Sequence, residues 1–327
     1  MSQTILPPTY QRLPLIIGAG VATVLLGMGG NVTGLGGASL LALFANVPLI
    51  VLVLVLGWQA AILGGIVAWG LQLLLFAVVA EPIHVMSDIS LLFLGRMVIP
   101  TVLLGVLLEQ NQLEAMRRNI TLTRHPATGV VLLTALSALV TTLGMAVTHY
   151  HQADIVAMLQ KTMAQLASRN GGDTFEVPTA EALQSLAQLI PGIFGVTWFF
   201  TYLLNAVLAV CIVEKKQPAF AAKPFSAVHL PAFMAVLFAT AVLLATKGGG
   251  EVAYFAKNIA LLLSAPFIVA GCSVVHSATA AMKERTVALV IFYGAVLVLP
   301  LGIGLVMVLG VVDSLMNIRK FERLKKE

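Results

Sequence analysis

Arg96 stands in the run LLFLGRMVIP (91–100), a single guanidinium among side chains that lipid would accept. An arginine at the centre of a spanning helix costs about 2.5–3.5 kcal/mol on insertion scales, and such residues face a cavity, an anion or a carboxylate. Pro100 has no N–H to offer the carbonyl four residues earlier, so the Arg96 carbonyl is left free at the level of its own charge. Asp88 lies eight residues away, about 12 Å along a helix, which is long for outward snorkelling. Arg96 is therefore expected to line a cavity or to pair, with Glu81, Asp88, Asp313 or the carboxylate or phosphate of a small molecule as partner.

The other polar residues inside apolar runs are Asn46, Gln72, Asn205, Asn258, His276 and Asp313, with Lys257 near an outer end. The default for each amide is an interhelical hydrogen bond worth about 0.6 kcal/mol. Asn205, Asn258 and His276 join Arg96 as candidate substrate or cavity residues. His276 could relay protons, although a satisfied interfacial histidine is the commoner case. Asp313 is expected at the inner interface, where it could cap the tail helix. Small residues recur every four positions at Ala60, Gly64 and Ala68, and again at Thr134, Ala138, Thr142 and Ala146. They permit close helix approach, first for internal packing and second for a partner subunit.

Catalytic signatures are missing. The chain has neither the G-x-x-x-x-G-K-[ST] phosphate loop nor the H-E-x-x-H metal pair. His149, His151 and Asp154 in HYHQAD are poorly spaced for a metal on one helix face. Cys211 and Cys272 lie in apolar runs and read as buried thiols. No catalytic residue, metal or cofactor is expected, and the protein is read as not an enzyme.

These residues must be positioned by membrane helices. Hydrophobic residues make up 59% of the chain and charged ones 10%, far from the soluble range of about 45–50% and about 25%. Mean hydropathy is +0.98. Apolar runs fall at about 13–30, 35–56, 58–80, 88–108, 128–148, 190–213, 230–246, 255–281 and 286–312. The expected fold is all-α: one polytopic membrane domain over 1–327 with about 8 transmembrane helices (7–9). The run after Arg12 superficially resembles a signal peptide, but GGNVTGLGG offers no A-x-A-like cleavage pattern, so it is read as a retained first helix.

The net charge of +5 points to orientation rather than to nucleic acid, because the basic residues sit in short loops and the tail. Arg12, the 109–127 and 214–229 loops and the basic tail, 314–327, are expected on the cytoplasmic side, with 149–189 outside. Both termini inside require an even number of crossings. Either the last run, broken by Pro300, Gly302 and Gly304, re-enters its own side, or the short 230–246 run fails to cross. In the outer segment Ile155, Met158, Leu159, Thr162, Met163 and Leu166 recur at helical spacing, and Thr179 can cap a second helix carrying Leu183, Leu186 and Ile190. An outer amphipathic helical hairpin is expected there, packed on the bundle or lidding it.

Two stretches resemble the YybS-like predicted membrane proteins, a bacterial family of unknown function. NIALLLSAPFIVAGCSVVH (258–276) is similar to that family's Asn, Pro-Phe, Gly, His spacing. LGVVDSLMNIRK (309–320) looks like its closing motif, with Asp313 and Arg319 matching, while Asn317 stands where a second Asp is frequent, and Leu315 and Met316 replace a frequent aromatic. YLLNAVLA around Asn205 fits the same layout. The front half, VPLIVLVLVLGWQAAILGGIVAWG, is similar to the early helices of the S components of energy-coupling-factor vitamin transporters, with which the family has been grouped. The resemblance implies an S-component-like core with an embedded cavity, no ATPase activity in this chain and small-residue stripes for docking a partner. Two helices and the outer hairpin exceed a minimal S component.

The expected function is that of a bacterial inner-membrane protein that binds or helps to move a small molecule, an anion being one candidate, with Arg96 in the site. The alternative is a non-transporting scaffold for other membrane proteins, of the kind the similarly folded rod-shape protein MreD represents. Expected partners are the lipid bilayer, a small-molecule ligand and a membrane protein subunit, without nucleic acid.

Overall fold

The computed structural model describes residues 9–33, 41–79, 94–106, 126–150, 152–169, 178–216, 225–299 and 301–319. All regular structure among them is helical. In chain order the elements are α1 (Thr9–Thr33), α2 (Val47–Leu56), α3 (Trp58–Val79), a π turn (Leu94–Val98) continuing into helical residues 99–106, then α4 (Pro126–Tyr150) and α5 (Gln152–Arg169). There follow α6 (Ala180–Lys216), a 3₁₀ turn (Phe225–Ala227), α7 (Ala232–Lys247), α8 (Gly250–Ala278), α9 (Arg285–Val298) and α10 (Gly302–Met316).

Among the described residues, four helices are long and apolar enough to cross a membrane, within Trp58–Leu75, Ala127–Ala146, Ala180–Lys215 and Gly250–Ala278. A fifth is available if α9 and α10, bent by 117°, count as one broken span. Arg12–Gly27, Val47–Leu56 and Ala232–Lys247 are shorter apolar helices. The protein is thus an all-helical, polytopic membrane protein. Side chains such as Leu297 and Leu301 stand 83% and 77% exposed, as lipid-facing residues do. The last run is broken as its composition suggests, although Pro300 itself lies outside the described residues.

One expectation is corrected. The helix capped at Thr179 and the run beginning near 190 are not separate: α6 is a single helix of 37 residues with Pro191 inside it. Thr179 does cap it, its Oγ1 accepting from the Ala182 N–H at 3.3 Å. The amphipathic α5 forms as expected, with Met158 exposed and Ile155, Leu159 and Met163 half-buried. The two helices expected in the 149–189 segment are thus α5 and the start of α6, with the residues between them outside the described ones.

The chain divides into two compact units. Unit 1 comprises 1–125 and 200–223, and unit 2 comprises 126–199 and 224–327, so α6 contributes to both. In unit 1, Gly57 at φ +89° makes the reversal between α2 and α3 that a side chain would strain, its N–H held by the Val53 carbonyl at 3.1 Å. α2 then runs back along α3, with Leu49 and Leu52 against Gly64. α1 runs the same way as α3, Ile16 clustering with Ala60 and Gly20 lying against Gly64 and Val67. The 94–106 helix is antiparallel to α3, Gly65 meeting Val98 and Gly105 meeting Trp58. The stripe Ala60, Gly64, Ala68 is buried by these neighbours, so its small residues serve packing within unit 1.

In unit 2, α8 is the most buried long helix, with α7, α4 and α10 packed around it. Gly271 of α8 and Gly310 of α10 set the closest approach: a Cβ on Gly271 would strike the Val306 carbonyl, and one on Gly310 the Phe267 carbonyl. The Gly of the APFIVAG stretch and that of the LGVVD stretch thus fit one interface.

Candidate functional site

The helix register of unit 1 places several buried polar side chains within about two turns of one another. One turn beyond Gly20, α1 carries Thr23; one turn beyond Gly64 and Val67, α3 carries Ala68, Trp69 and Gln72. Gly27 packs on Ala45, which sets Asn46, at the start of α2, beside α1. Asn205 is tied to the stretch before α2, since its Nδ2 donates to the Leu43 carbonyl at 2.6 Å and to Thr201 at 2.6 Å. The antiparallel pairing of Val98 with Gly65 puts the backbone of the π turn, including Arg96, opposite residues 65–69. The Arg96 side chain lies outside the described residues, as do Glu81 and Asp88.

Thr23 Oγ1, Asn46 Oδ1, Trp69 Nε1, Gln72 Oε1 and Asn205 Oδ1 are all buried without a hydrogen-bond partner. Each such orphan costs about 1–3 kcal/mol in an otherwise dry interior. Local sequence bears on one of them. Asn46 sits at the N-cap of α2 in a helical rather than extended conformation, Pro48 removes one of the two N–H groups such a side chain can bind, and no side-chain cap bond forms. Thr23 does not bond back to its own helix as Thr134, Thr142, Thr162 and Thr197 do to the carbonyl four residues earlier, and in this it is like Ser137 and Thr141 of unit 2.

The π turn holds a second polar feature of unit 1. A proline removes one ladder donor, and a widened turn is a common way for a helix to absorb the loss. The Met97 carbonyl here accepts from Thr101 Oγ1 at 2.7 Å and from Tyr202 OH at 3.1 Å, and the two hydroxyls also touch each other. Pro100 itself is buried in this wall. The expected free carbonyl of Arg96 thus has a neighbour, Met97, whose oxygen is doubly satisfied.

In unit 2, Asn258 does one specific job. Its Oδ1 accepts the Gly192 N–H at 2.7 Å, and its Nδ2 donates to the Gln188 carbonyl at 2.9 Å and to Tyr254 at 2.9 Å. Gln188 and Gly192 are the i, i+4 pair of α6 that straddles Pro191, so the amide replaces the ladder bond that the proline opens. This is why α6 runs through Pro191 instead of ending there. Asn258→Leu is expected to destabilise the protein by about 2–3 kcal/mol, leaving a buried N–H and C=O unpaired. Adding Pro191→Ala should recover part of that loss by letting the ladder close; thermal unfolding in detergent with no loss in the single variant, or no recovery in the double, would refute the assignment.

Asp313 is fully buried and paired with Arg319, Nη2 to Oδ2 at 2.6 Å and Nε to Oδ1 at 3.4 Å, with His229 Nδ1 3.2 Å from Oδ2. Arg319 also donates to the Ser226 carbonyl at 2.6 Å, to Ser273 Oγ at 3.2 Å and to the Val228 carbonyl. Ser273 serves Phe225 and Val228, and Ser314 serves Leu230 and Pro231. Side chains of α8 and of the residues closing α10 thereby satisfy carbonyls of the 3₁₀ turn and the extended residues after it, 225–231, as an apolar surround requires. Asn317 turns the chain in a left-handed conformation, φ 49°, its N–H on the Asp313 carbonyl, which brings Arg319 back over Asp313. Asp313 is therefore the acceptor of a fold-back latch rather than the cap of a tail helix.

His276 lies apart from that latch, its Nε2 2.9 Å from Tyr293 OH and its ring edge-on to Phe225 at 5.2 Å. Asn205 and the Arg96 backbone both belong to unit 1, whereas Asn258 and His276 occupy separate places in unit 2. Sequence reasoning passed over Thr23, Thr101, Tyr202, His229 and Ser273. Hydroxyls that bond within a helix leave no periodic trace.

No curated protein matches the chain, and no solved structure does. The family described as Predicted membrane protein (DUF2232) matches residues 20–314, which spans both units, the buried polar residues of unit 1 and the Asp313 acceptor. The chain belongs to that family of multi-pass membrane proteins of unknown function.

Proposed function

We propose that this protein binds, and helps to move, a small polar molecule within unit 1, as an S-component-like subunit of a bacterial inner membrane. The observation that supports the reading is the set of buried, unpartnered polar atoms on Thr23, Asn46, Trp69, Gln72 and Asn205. A core evolved only for packing gains nothing from five such orphans in one unit, whereas a ligand offers each a partner. Trp69 Nε1 is a donor, and Arg96 lies on the π turn of the same unit. Those two suit a carboxylate or phosphate on the ligand. The proposed topology has eight crossings with both termini in the cytoplasm, the basic 314–327 tail included. The scaffold reading rests on less, because the Ala60, Gly64, Ala68 stripe is covered inside unit 1.

Native mass spectrometry of the purified protein tests the proposal. The wild type is expected to retain a small-molecule adduct that Arg96→Gln loses while keeping its helical content and elution volume. A wild type that carries no small molecule but a stoichiometric protein partner would favour the scaffold instead.

A further inference from the structure

We propose that Cys272 and His276 of unit 2, which meet at the Tyr293 hydroxyl, form a binding site for a soft monovalent metal ion of the Cu(I) kind, independent of the ligand reading of unit 1. The three side chains converge on one atom. His276 Nε2 lies 2.9 Å from the Tyr293 hydroxyl, and the Cys272 side chain is hydrogen-bonded to the same hydroxyl. Cys272 and His276 stand four apart on α8, a spacing that sets two side chains on one helix face with Cβ atoms about 5–6 Å apart. A thiolate and an imidazole hold a zinc-sized ion at about 2.3 Å and about 2.0 Å, so two donors on one face at that spacing can share an ion. Phe225, edge-on to the His276 ring at 5.2 Å, keeps that ring beside the hydroxyl.

Close packing does not account for the convergence, because α9 buries none of its residues. Tyr293 is 38% exposed and Cys272 and His276 are half-buried, so an ion can reach the donors. Nothing buried in α9 has to repack for the phenol, which competes with the ion for both donors, to turn aside. The kind of ion follows from ligand number and charge. Among the described residues no three His, Cys, Asp or Glu side chains stand together, so the four-ligand shell of a structural zinc site is not offered. Thiolate is a soft ligand that selects Cu(I), an ion content with two donors. Arg285, which opens α9, is near enough for its charge to act on His276. On binding, the Cys272 S–H bond breaks, a sulfur–copper bond forms and the proton leaves to solvent. Copper stays in the +1 state throughout, and the thiolate cancels its charge. A divalent ion would leave one positive charge uncancelled beside Arg285 in an apolar surround.

The probe is Cu(I) itself, kept reduced with ascorbate, buffered by bicinchoninate and titrated into the purified protein in detergent. One ion per chain is expected, with a thiolate-to-copper absorption band in the ultraviolet. Cys272→Ser and His276→Gln are each expected to weaken binding by about a hundredfold, the upper end of what removing even an indirect partner of a metal costs. Tyr293→Phe is expected to bind at least as tightly as the wild type, because the competing hydroxyl is gone. Cys211→Ala, which removes the other cysteine of the chain, is expected to change nothing. Should a variant fail to fold, the wild type still answers: one equivalent of Cu(I) is expected to protect Cys272 from N-ethylmaleimide, read by peptide mass spectrometry. Binding by Cys272→Ser as tight as that of the wild type, or alkylation of Cys272 at one rate with and without Cu(I), overturns the site. Displacement of Cu(I) by an equal concentration of Zn²⁺ overturns its assignment to a monovalent ion.

Discussion

Arg319→Met is expected to lower the stability of the protein by about 3–5 kcal/mol, the loss typical of breaking a buried ion pair by removing one partner. Asp313 has no exposure and Arg319 only 11%, so the carboxylate left behind cannot be rescued by water. The Ser226 and Val228 carbonyls also lose their donor. His229 remains beside Asp313 Oδ2 at 3.2 Å, which offsets part of the stranded charge when the imidazole is protonated. Arg319→Lys should fail nearly as badly, because an ammonium cannot place donors on Asp313, Ser226 and Val228 at once. The double variant Asp313→Asn with Arg319→Met removes both charges and is expected to recover part, not all, of the loss, since the carbonyls stay unserved. Thermal and SDS-titration unfolding of purified protein measure these differences. A wild-type midpoint in Arg319→Met would show that the latch carries no stability.

The latch also shows what sequence could and could not disclose. LGVVDSLMNIRK marked Asp313 and Arg319 through its resemblance to a family's closing motif, but not their contact, because six residues on a continuing helix would point them to different faces. Asn317 supplies the missing step. Read as a replaced acid it has no role, whereas in a left-handed turn an Asn does what an Asp there could also do. Spans were legible because lipid imposes a composition on every long helix, and α3, α4, α6 and α8 follow from it. The merger of the Thr179 helix with the next span was not, because Pro191 is a stop signal that only Asn258, 67 residues on, overrides. The polar residues of unit 1 were half legible: Asn46, Gln72 and Asn205 stood out in apolar runs, yet their burial without partners depends on glycine contacts between helices far apart in sequence.

Gly310→Ala is expected to cost about 3 kcal/mol or more, at the upper end for an overpacked interior. The added methyl would meet the Phe267 carbonyl and the Gly271 N–H group, both backbone of α8, so no side chain can rotate away and the helices must part. Gly271→Ala meets the Val306 carbonyl from the other side and should cost a similar amount. Because each substitution separates the same two helices, the second clash is partly relieved by the first. The double variant should therefore lose less than the sum, by about 0.5–3 kcal/mol of coupling. Gly304 lies on the same helix as Gly310 but has nothing within 4 Å of its would-be Cβ. Gly304→Ala is expected to be neutral or to stabilise by up to about 1 kcal/mol through helix propensity alone. Unfolding midpoints of the four proteins in one detergent decide the matter. A Gly310→Ala variant as stable as Gly304→Ala would mean that α8 and α10 do not meet at these glycines, and full additivity of the pair would mean that they meet at two independent places rather than one.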